Sequence, residues 1–349
     1  MEYFMGKDGF HWFVGVVEDR NDPEKVGRVR VRCLGLHTGD ITKIPPDDLP
    51  WASVMMPVTA GGNSGVGVSS HFLVEGTWVV GFFRDAHLQE PVIMGTLPGV
   101  NTVDATATST SVAGFKDQGV SRKPSSGPDI TYPTSKYTDK PDTNLLAQEL
   151  VSSHESNSIK TASESWSTAS GEASQPASTQ SNAKYPYNHV LETESGHYIE
   201  FDDTKGNERI HIFHKKGTFI EIDPTGNVVI KTVGNVTNIV AGNMDTYVKG
   251  NYSITAKNID VFASENLTEK VGGNRKTTIS GTETLDISGA VKNTFGDALT
   301  VDIKGAITNT FGGTVDETID GPLNTTIKAI ASIKSTAAMV IGGSSISFN

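Results

Sequence analysis

Gly289-Ala-Val-Lys-Asn-Thr-Phe295 and Gly305-Ala-Ile-Thr-Asn-Thr-Phe311 are near-copies set two eight-residue steps apart, and that step decides the fold. Working outward, glycines fall at 226, 234, 242 and 250, and again at 273, 281, 289, 305, 313 and 321. Asn258 and Asn266 hold the positions between the two sets, and Asp297 and Ala329 fill two later ones. Asparagine is the residue that best tolerates the left-handed backbone that glycine supplies. One residue is missing between Asn266 and Gly273, so the register is expected to slip there. Two residues before these positions stand Val240, Val248, Ile279, Ile287, Phe295, Ile303, Phe311, Ile319 and Ile327. The unit is Val/Ile/Phe-x-Gly followed by five mostly polar residues. Its turns are expected at Gly234, Gly242, Gly250, Gly281, Gly289, Gly305, Gly313 and Gly321, and its core at the nine apolar residues.

Each octad is one short strand plus a turn, with only one or two apolar side chains to bury. A single chain built from such units cannot close a core, and repeats of this kind are stable only when stacked on neighbours. The narrow apolar stripe predicts three chains wound about a shared axis, with every strand edge paired to another subunit and none left to aggregate. The alternative is a monomeric parallel β-helix, although coils of that fold usually need longer units to turn three corners.

Upstream the pattern changes. Residues 1–100 hold short apolar runs punctuated by glycine: Trp12-Phe-Val-Gly-Val-Val17, Val29-Arg-Val-Arg32, Thr77-Trp-Val-Val-Gly-Phe-Phe83 and Pro91-Val-Ile-Met-Gly95. They predict a small β-barrel, with a five-stranded OB-type barrel as first choice. Residues 101–186 are rich in Ser, Thr and Pro and read as a polar linker, with a possible short helix near 143–152 capped by Asp142-Thr143 and expected to dock on a neighbouring surface. Residues 187–225 form a β-meander neck with turns at Asp203-Thr-Lys-Gly206, Lys215-Lys-Gly217 and Asp223-Pro-Thr-Gly226. Residues 226–349 are the octad stem and its tip. The fold class is all-β.

Composition excludes several functions. Of 349 residues 36 are Gly and only 7% are aromatic, which suits many short strands and turns better than a compact catalytic domain. A formal charge of -11 opposes attraction to nucleic-acid phosphate. Cys33 is the sole cysteine, so no intrachain disulfide stabilises the protein. No run of 18 apolar residues occurs, and Met1 to Lys7 lack the basic-then-apolar pattern of an export signal, so release by lysis or within a particle is expected.

The octads from Gly226 to Thr336 resemble the triple-stranded β-helix needle of the central spike proteins of contractile-tail phages. Trp12-Phe-Val-Gly-Val-Val-Glu-Asp-Arg20, Asp22-Pro23, Gly27-Arg-Val-Arg-Val31, Gly35-Leu-His37 and Leu49-Pro-Trp51 look like the OB domain of the same spikes. Asn188 to His197 and Ile210 to Asp223 are similar to the neck that opens the needle there and in the valine-glycine-repeat spikes of type VI secretion. The resemblance implies a homotrimer in the tail baseplate of a virion, seated by its barrel on a separate hub protein. Sheath contraction would drive the needle through the host outer envelope. It also implies a small tip protein of the proline-alanine-alanine-arginine repeat type, capping the end near Ile341 to Phe348. The spike of a type VI or extracellular contractile injection system is the alternative. Well-known members carry a lysozyme domain between barrel and needle; residues 101–186 are too short and too polar to hold one, although a spike retaining peptidoglycan-degrading activity remains the third reading.

No catalytic residue, cofactor or metal site is expected. Glu192, Glu194, Glu200, Asp202 and Asp203 are candidates by type for paired-carboxylate hydrolysis, but lie on strands and turns where acids normally face solvent. His197, His211 and His214 read as surface histidines; His211 and His214, three apart on a strand, point to opposite faces and cannot share an ion. Some spikes bind iron at the tip through His-x-His, and residues 329–349 contain no histidine. Gly61-Gly-Asn-Ser-Gly-Val-Gly67 lacks the Gly-Lys-Ser/Thr of a phosphate loop and reads as a mobile barrel loop. Arg28, Arg30 and Arg32 share one strand face without interleaved aromatics, which favours contact with an acidic hub surface or solvent over oligonucleotide binding.

Overall fold

The computed structural model describes residues 11–70, 72–99, 114–115, 143–154, 156, 164–176 and 182–343. Strands β1 (His11–Asp19), β2 (Val29–Cys33) and β3 (Trp51–Val54) lead to a small hairpin of β4 (Gly61–Asn63) and β5 (Val66–Gly67), then to β6 (Trp78–Phe83) and β7 (Pro91–Thr96). The five long strands close into a barrel in the order β1-β2-β3-β7-β6, as the OB reading predicts. Closure joins β1 to β6 antiparallel, and β3 to β7 is the one parallel pair in it. Alternation puts Phe13, Val17, Val29, Val31, Val79, Phe83 and Ile93 inside. Gly81 makes room for this core: a Cβ there would stand 2.7 Å from the Phe13 ring and 2.1 Å from the Val92 carbonyl oxygen.

The glycine-rich segment at 61–67 is a hairpin, a correction to the loop expected there. Its two turn residues, Ser64 and Gly65, both have positive φ, as a tight type I′ turn requires.

The neck is a five-stranded antiparallel meander of β10 (Asn188–Glu192), β11 (Tyr198–Asp202), β12 (Arg209–Phe213), β13 (Phe219–Ile222) and β14 (Val228–Lys231). Asp223 fixes the last turn, accepting from the amides of Thr225 and Asn227 and from their side chains. Those bonds hold its carboxyl down at about 2, the Asn227 and Thr225 side chains contributing most.

The linker is not wholly unstructured. Residues 143–154 pack against the neck, but they form consecutive turns and a 3-10 helix at Val151–Ser153 instead of an α-helix, and they enter a core where only surface docking was expected. Leu146 and Val151 join Tyr198, Phe213 and Phe219 in a second core. Asn144 caps the turn by accepting from the Leu146 amide, the role the sequence reading gave to the Asp142-Thr143 pair. Downstream, β8 (Ser165–Thr168) and β9 (Gly171–Ser174) pair as an isolated hairpin.

Residues 232–343 are extended, exposed at every position, and contain no hydrogen-bonded strand. Bends recur at 233–234, 241–242, 249–250, 257, 264–265, 272–273 and then every eight residues to 336–337. The octad period is therefore visible in the backbone. Two details differ from the sequence reading. The short unit lies between Gly250 and Lys257, so Lys257 and Glu265, instead of Asn258 and Asn266, carry the period. Only Gly226 of the glycine series is left-handed; from Gly234 onward none is, and an added Cβ would meet nothing within 4 Å in the same chain. Clustering of the chain gives two units, residues 1–261 and 262–349.

Candidate functional site

The neck sheet has two faces of opposite character. Every second residue of β11, β12 and β13 faces the chain's own interior: Tyr198, Glu200, Asp202, Arg209, His211, Phe213, Phe219 and Glu221 are buried. The register sets Glu200 beside His211 and His211 beside Glu221. Arg209 Nη2 donates to Glu200 Oε1 at 2.7 Å, and Asn188 Nδ2 donates to the same oxygen at 2.8 Å. Arg209 Nη1 stands 4.0 Å from Glu221 Oε2, and His211 Nδ1 stands 3.6 Å from Glu200 Oε2. The docked segment covers this cluster. Asn188 also donates to the Leu146 carbonyl, and His154 bridges Ser156 Oγ at 2.8 Å and the Glu192 carboxylate at 3.1 Å.

The opposite face carries Leu191, Ile199, Phe201, Ile210, Ile212, Ile220, Val228 and Ile230, all exposed. Cross-strand register aligns them in two rows, Leu191–Ile199–Ile212–Ile220–Ile230 and Phe201–Ile210–Ile222–Val228. Five strands at about 4.8 Å spacing make an apolar sheet face about 20 Å across, larger than a soluble monomer ordinarily leaves bare. Its last strand runs straight into the stem. Val228 and Ile230 are followed on the same alternation by Val236, Val240, Met244 and Val248.

The stem has two sides as well. From Val236 to Ile341, large apolar residues standing two, four or six positions after a bend are 43–80% exposed, whereas Ile239, Tyr247, Phe262, Ile330 and Val340 are 89–95% exposed. The expected octad core, Val240, Val248, Ile279, Ile287, Phe295, Ile303, Phe311, Ile319 and Ile327, falls in the less exposed group. A second column two residues after the bend, including Val236, Met244, Val291, Ile307 and Leu323, is 58–68% exposed and falls in the same group. Single-residue spacing to the glycine found the first column and passed over the second; period-two alternation was the signal that marks it.

The candidate chemical residues are distributed differently from expectation. Glu200 and Asp202 do not face solvent; they are buried, Glu200 against Arg209 and Asp202 accepting from the Thr204 amide. Glu192 holds His154, Glu194 accepts both guanidinium nitrogens of Arg20 in the barrel at 2.7 and 3.0 Å, and Asp203 alone of the five is well exposed. His211 is wholly buried, not a surface histidine, while the rings of His197 and His214 meet at a 46° tilt with centroids 4.4 Å apart. Burial, then the charges of His214 and Lys215, hold His197 below its ordinary pKa. Among the described residues no group of three or more His, Cys, Asp or Glu is arranged to hold a metal ion.

The arginine stripe is consumed within the chain, a correction to its expected role as an open contact surface. Arg32 is fully buried, pairing with Glu18 at 2.6 Å and donating to the carbonyls of Thr38 and Ile44, with Gly114 and Phe115 lying over the pair. Arg30 donates to the carbonyls of Pro46, Asp47 and Leu49 and stacks 4.5 Å above Trp51. Arg28 binds Asp22, whose carboxylate also accepts from the amides of Glu24, Val26 and Arg28; the arginine bond above all drives its pKa far below the carboxylate range. Sequence alternation placed the three on one face and had no means of showing that loops 38–49 and 114–115 fold over it.

The chain thus combines a closed OB barrel, a sheet with one bare apolar face and an octad-repeat segment. Comparison with known proteins agrees. Residues 35–189 match the family model described as the Gp5 N-terminal OB domain. Protein Gp5 of Vibrio phage KVP40 is 34% identical over 303 residues, 77% of this chain and 65% of that protein. The pre-baseplate central spike protein Gp5 of Enterobacteria phage T4 is 34% identical over 221 residues, 60% of this chain. The chain spans 65% and 35% of the lengths of these two relatives. Over these spans the chain is similar to the Gp5 proteins of phages, one of them named as a pre-baseplate central spike protein.

Proposed function

We propose that three copies of this chain form the mechanical, non-catalytic tip of a contractile tail, which punctures the host outer envelope when the sheath contracts. The observation that carries the reading is the continuous bare apolar surface from Leu191 on the neck through Ile230 into the Val240 and Val248 column, unburied by anything in its own chain. Three chains wound about one axis bury it. At about 1.5–3 kcal/mol for each large apolar side chain, repeated along the stem, the assembly is slow to come apart. The octad glycines fit the same reading: neither φ nor a contact within the chain demands them, so the close approach that excludes a Cβ is between chains.

The barrel is the hub-binding end, and a small conical protein of the proline-alanine-alanine-arginine repeat type seats on the tip, where Ile330 and Val340 reappear on the outer side of the stem. Of the expected cap contact, Ile341 to Phe348, residues 344–348 lie outside the described residues. Carboxylates locked in ion pairs with Arg209 or Arg20, or held by hydrogen bonds with His154, serve the fold and are not poised for hydrolysis. Light scattering tests the assembly: a mass three times 37.2 kDa, with a band resistant to SDS until boiled, is expected, and a 37.2 kDa species would overturn it. A peptidoglycan zymogram is expected to show no clearing.

A further inference from the structure

The β8–β9 hairpin is tied to the last neck strand at Lys231 and to the stem at Thr255. Lys231 Nζ stands 3.1 Å from Glu164 Oε1 and donates to Gln175 Oε1 at 3.0 Å, at the hairpin's open end. Thr255 Oγ1 donates to the Ser167 carbonyl at 2.9 Å, partway along β8. Lys231 and Thr255 lie three octads apart, each five residues after a bend position.

In a three-sided stem each octad covers one side, so a chain returns to a given side after three octads. Lys231 and Thr255 are then neighbours of the same chain on one side, and between them each partner passes once. Four rows at about 4.8 Å spacing put the two anchors about 14 Å apart. Three residue steps of β8 cover about 10 Å, and the Lys231 side chain closes the remainder. The rows between are the partners' residues at the same offset, which in this sequence are Ile239 and Tyr247.

These two are among the five large apolar residues on the outer surface of the described stem. Each is about nine-tenths exposed, whereas the same offset further along holds Phe262 and then only Lys270, Thr278, Asp286, Thr294, Asp302, Thr310, Thr318, Thr326 and Lys334. Outward apolar residues stand where the hairpin passes. On the hairpin, Trp166 is paired across the strands with Ala173, and on that face Ala173 and Thr168 are already half-buried.

We propose that each β8–β9 hairpin is a strap lying across the two partner chains, seated on Ile239 of one and Tyr247 of the other. The proposal rests on the trimer reading. It makes part of the linker a clamp at the mouth of the stem, where the three chains first meet.

Disulfide trapping tests it on the full chain. The native thiol does not interfere, since Cys33 is buried and its pKa is pushed up to about 12. Ala173→Cys combined with Tyr247→Cys, and Ala173→Cys combined with Ile239→Cys, are oxidised and run boiled under non-reducing conditions. Covalent dimers and trimers are expected from both pairs and none from Ala173→Cys alone. A light-scattering trimer that yields only single-chain bands would overturn the strap and leave the trimer standing. A light-scattering monomer would overturn both.

Discussion

Arg209 and Glu200 are joined by a 2.7 Å ion pair in which neither side chain is reached by solvent, on a sheet whose other face is bare isoleucine. Removing one partner strands a buried charge, which costs about 3–5 kcal/mol. Arg209→Met is therefore expected to lower the urea midpoint of the neck sharply, and adding Glu200→Gln should recover a large part of the loss. A midpoint unchanged by Arg209→Met would show the pair to be dispensable.

Asp22 organises the loop between β1 and β2 through three backbone amides and Arg28. Asp22→Ala leaves those donors unmatched and should cost about 1–3 kcal/mol in barrel stability. Its pKa is depressed on folding, so its contribution is complete above the unfolded value of about 3.9 and is lost as pH falls through the folded one. The barrel's melting temperature should be level from pH 7 to about 5 and fall below about 4. Asp22→Ala should show a shallower fall.

Ile212 sits in the middle of the open row, between Ile199 and Ile220. Ile212→Lys is expected to leave barrel and neck folded by circular dichroism while shifting the light-scattering mass from three chains to one. The result that would count against the surface is a variant that still assembles.

Phe295 and Gly281 test the stem. Phe295→Ala removes a large side chain from each copy, at about 3–5 kcal/mol if fully buried in the assembly, and should abolish SDS resistance at moderate temperature. Gly281→Val adds a side chain where one chain alone has open space. Destabilisation of the trimer by Gly281→Val, measured by the same gel, separates an inter-chain contact from a turn requirement.

Much of this architecture could be read from residue order. The octad period survives as backbone bends, and the apolar runs around Val14, Val31, Val79 and Ile93 became barrel strands. The misplaced neck acids, His211 and the arginine stripe share one cause. Alternation in Tyr198-Ile-Glu-Phe-Asp202 and Arg209-Ile-His-Ile-Phe213 correctly sorts residues onto two faces, but says nothing about what covers each. The usual rule turns the isoleucines inward. Here the chain covers the charged face with residues 143–154 and 156 and leaves the isoleucines bare. Arg32 misled for the same reason, because Gly114 and Phe115 come from beyond the barrel in sequence.

The seven-residue unit between Gly250 and Lys257 has a consequence for how identical chains find one another. A ladder of equal rungs has translational degeneracy: a strand displaced by one rung still meets a matching rung at almost every level. One odd rung removes that degeneracy, because any staggered chain sets its short unit against a full one and inverts the inward and outward sides between the two. In the proposed trimer, the interval at 250–257 is thus a vernier mark that only chains in register can match.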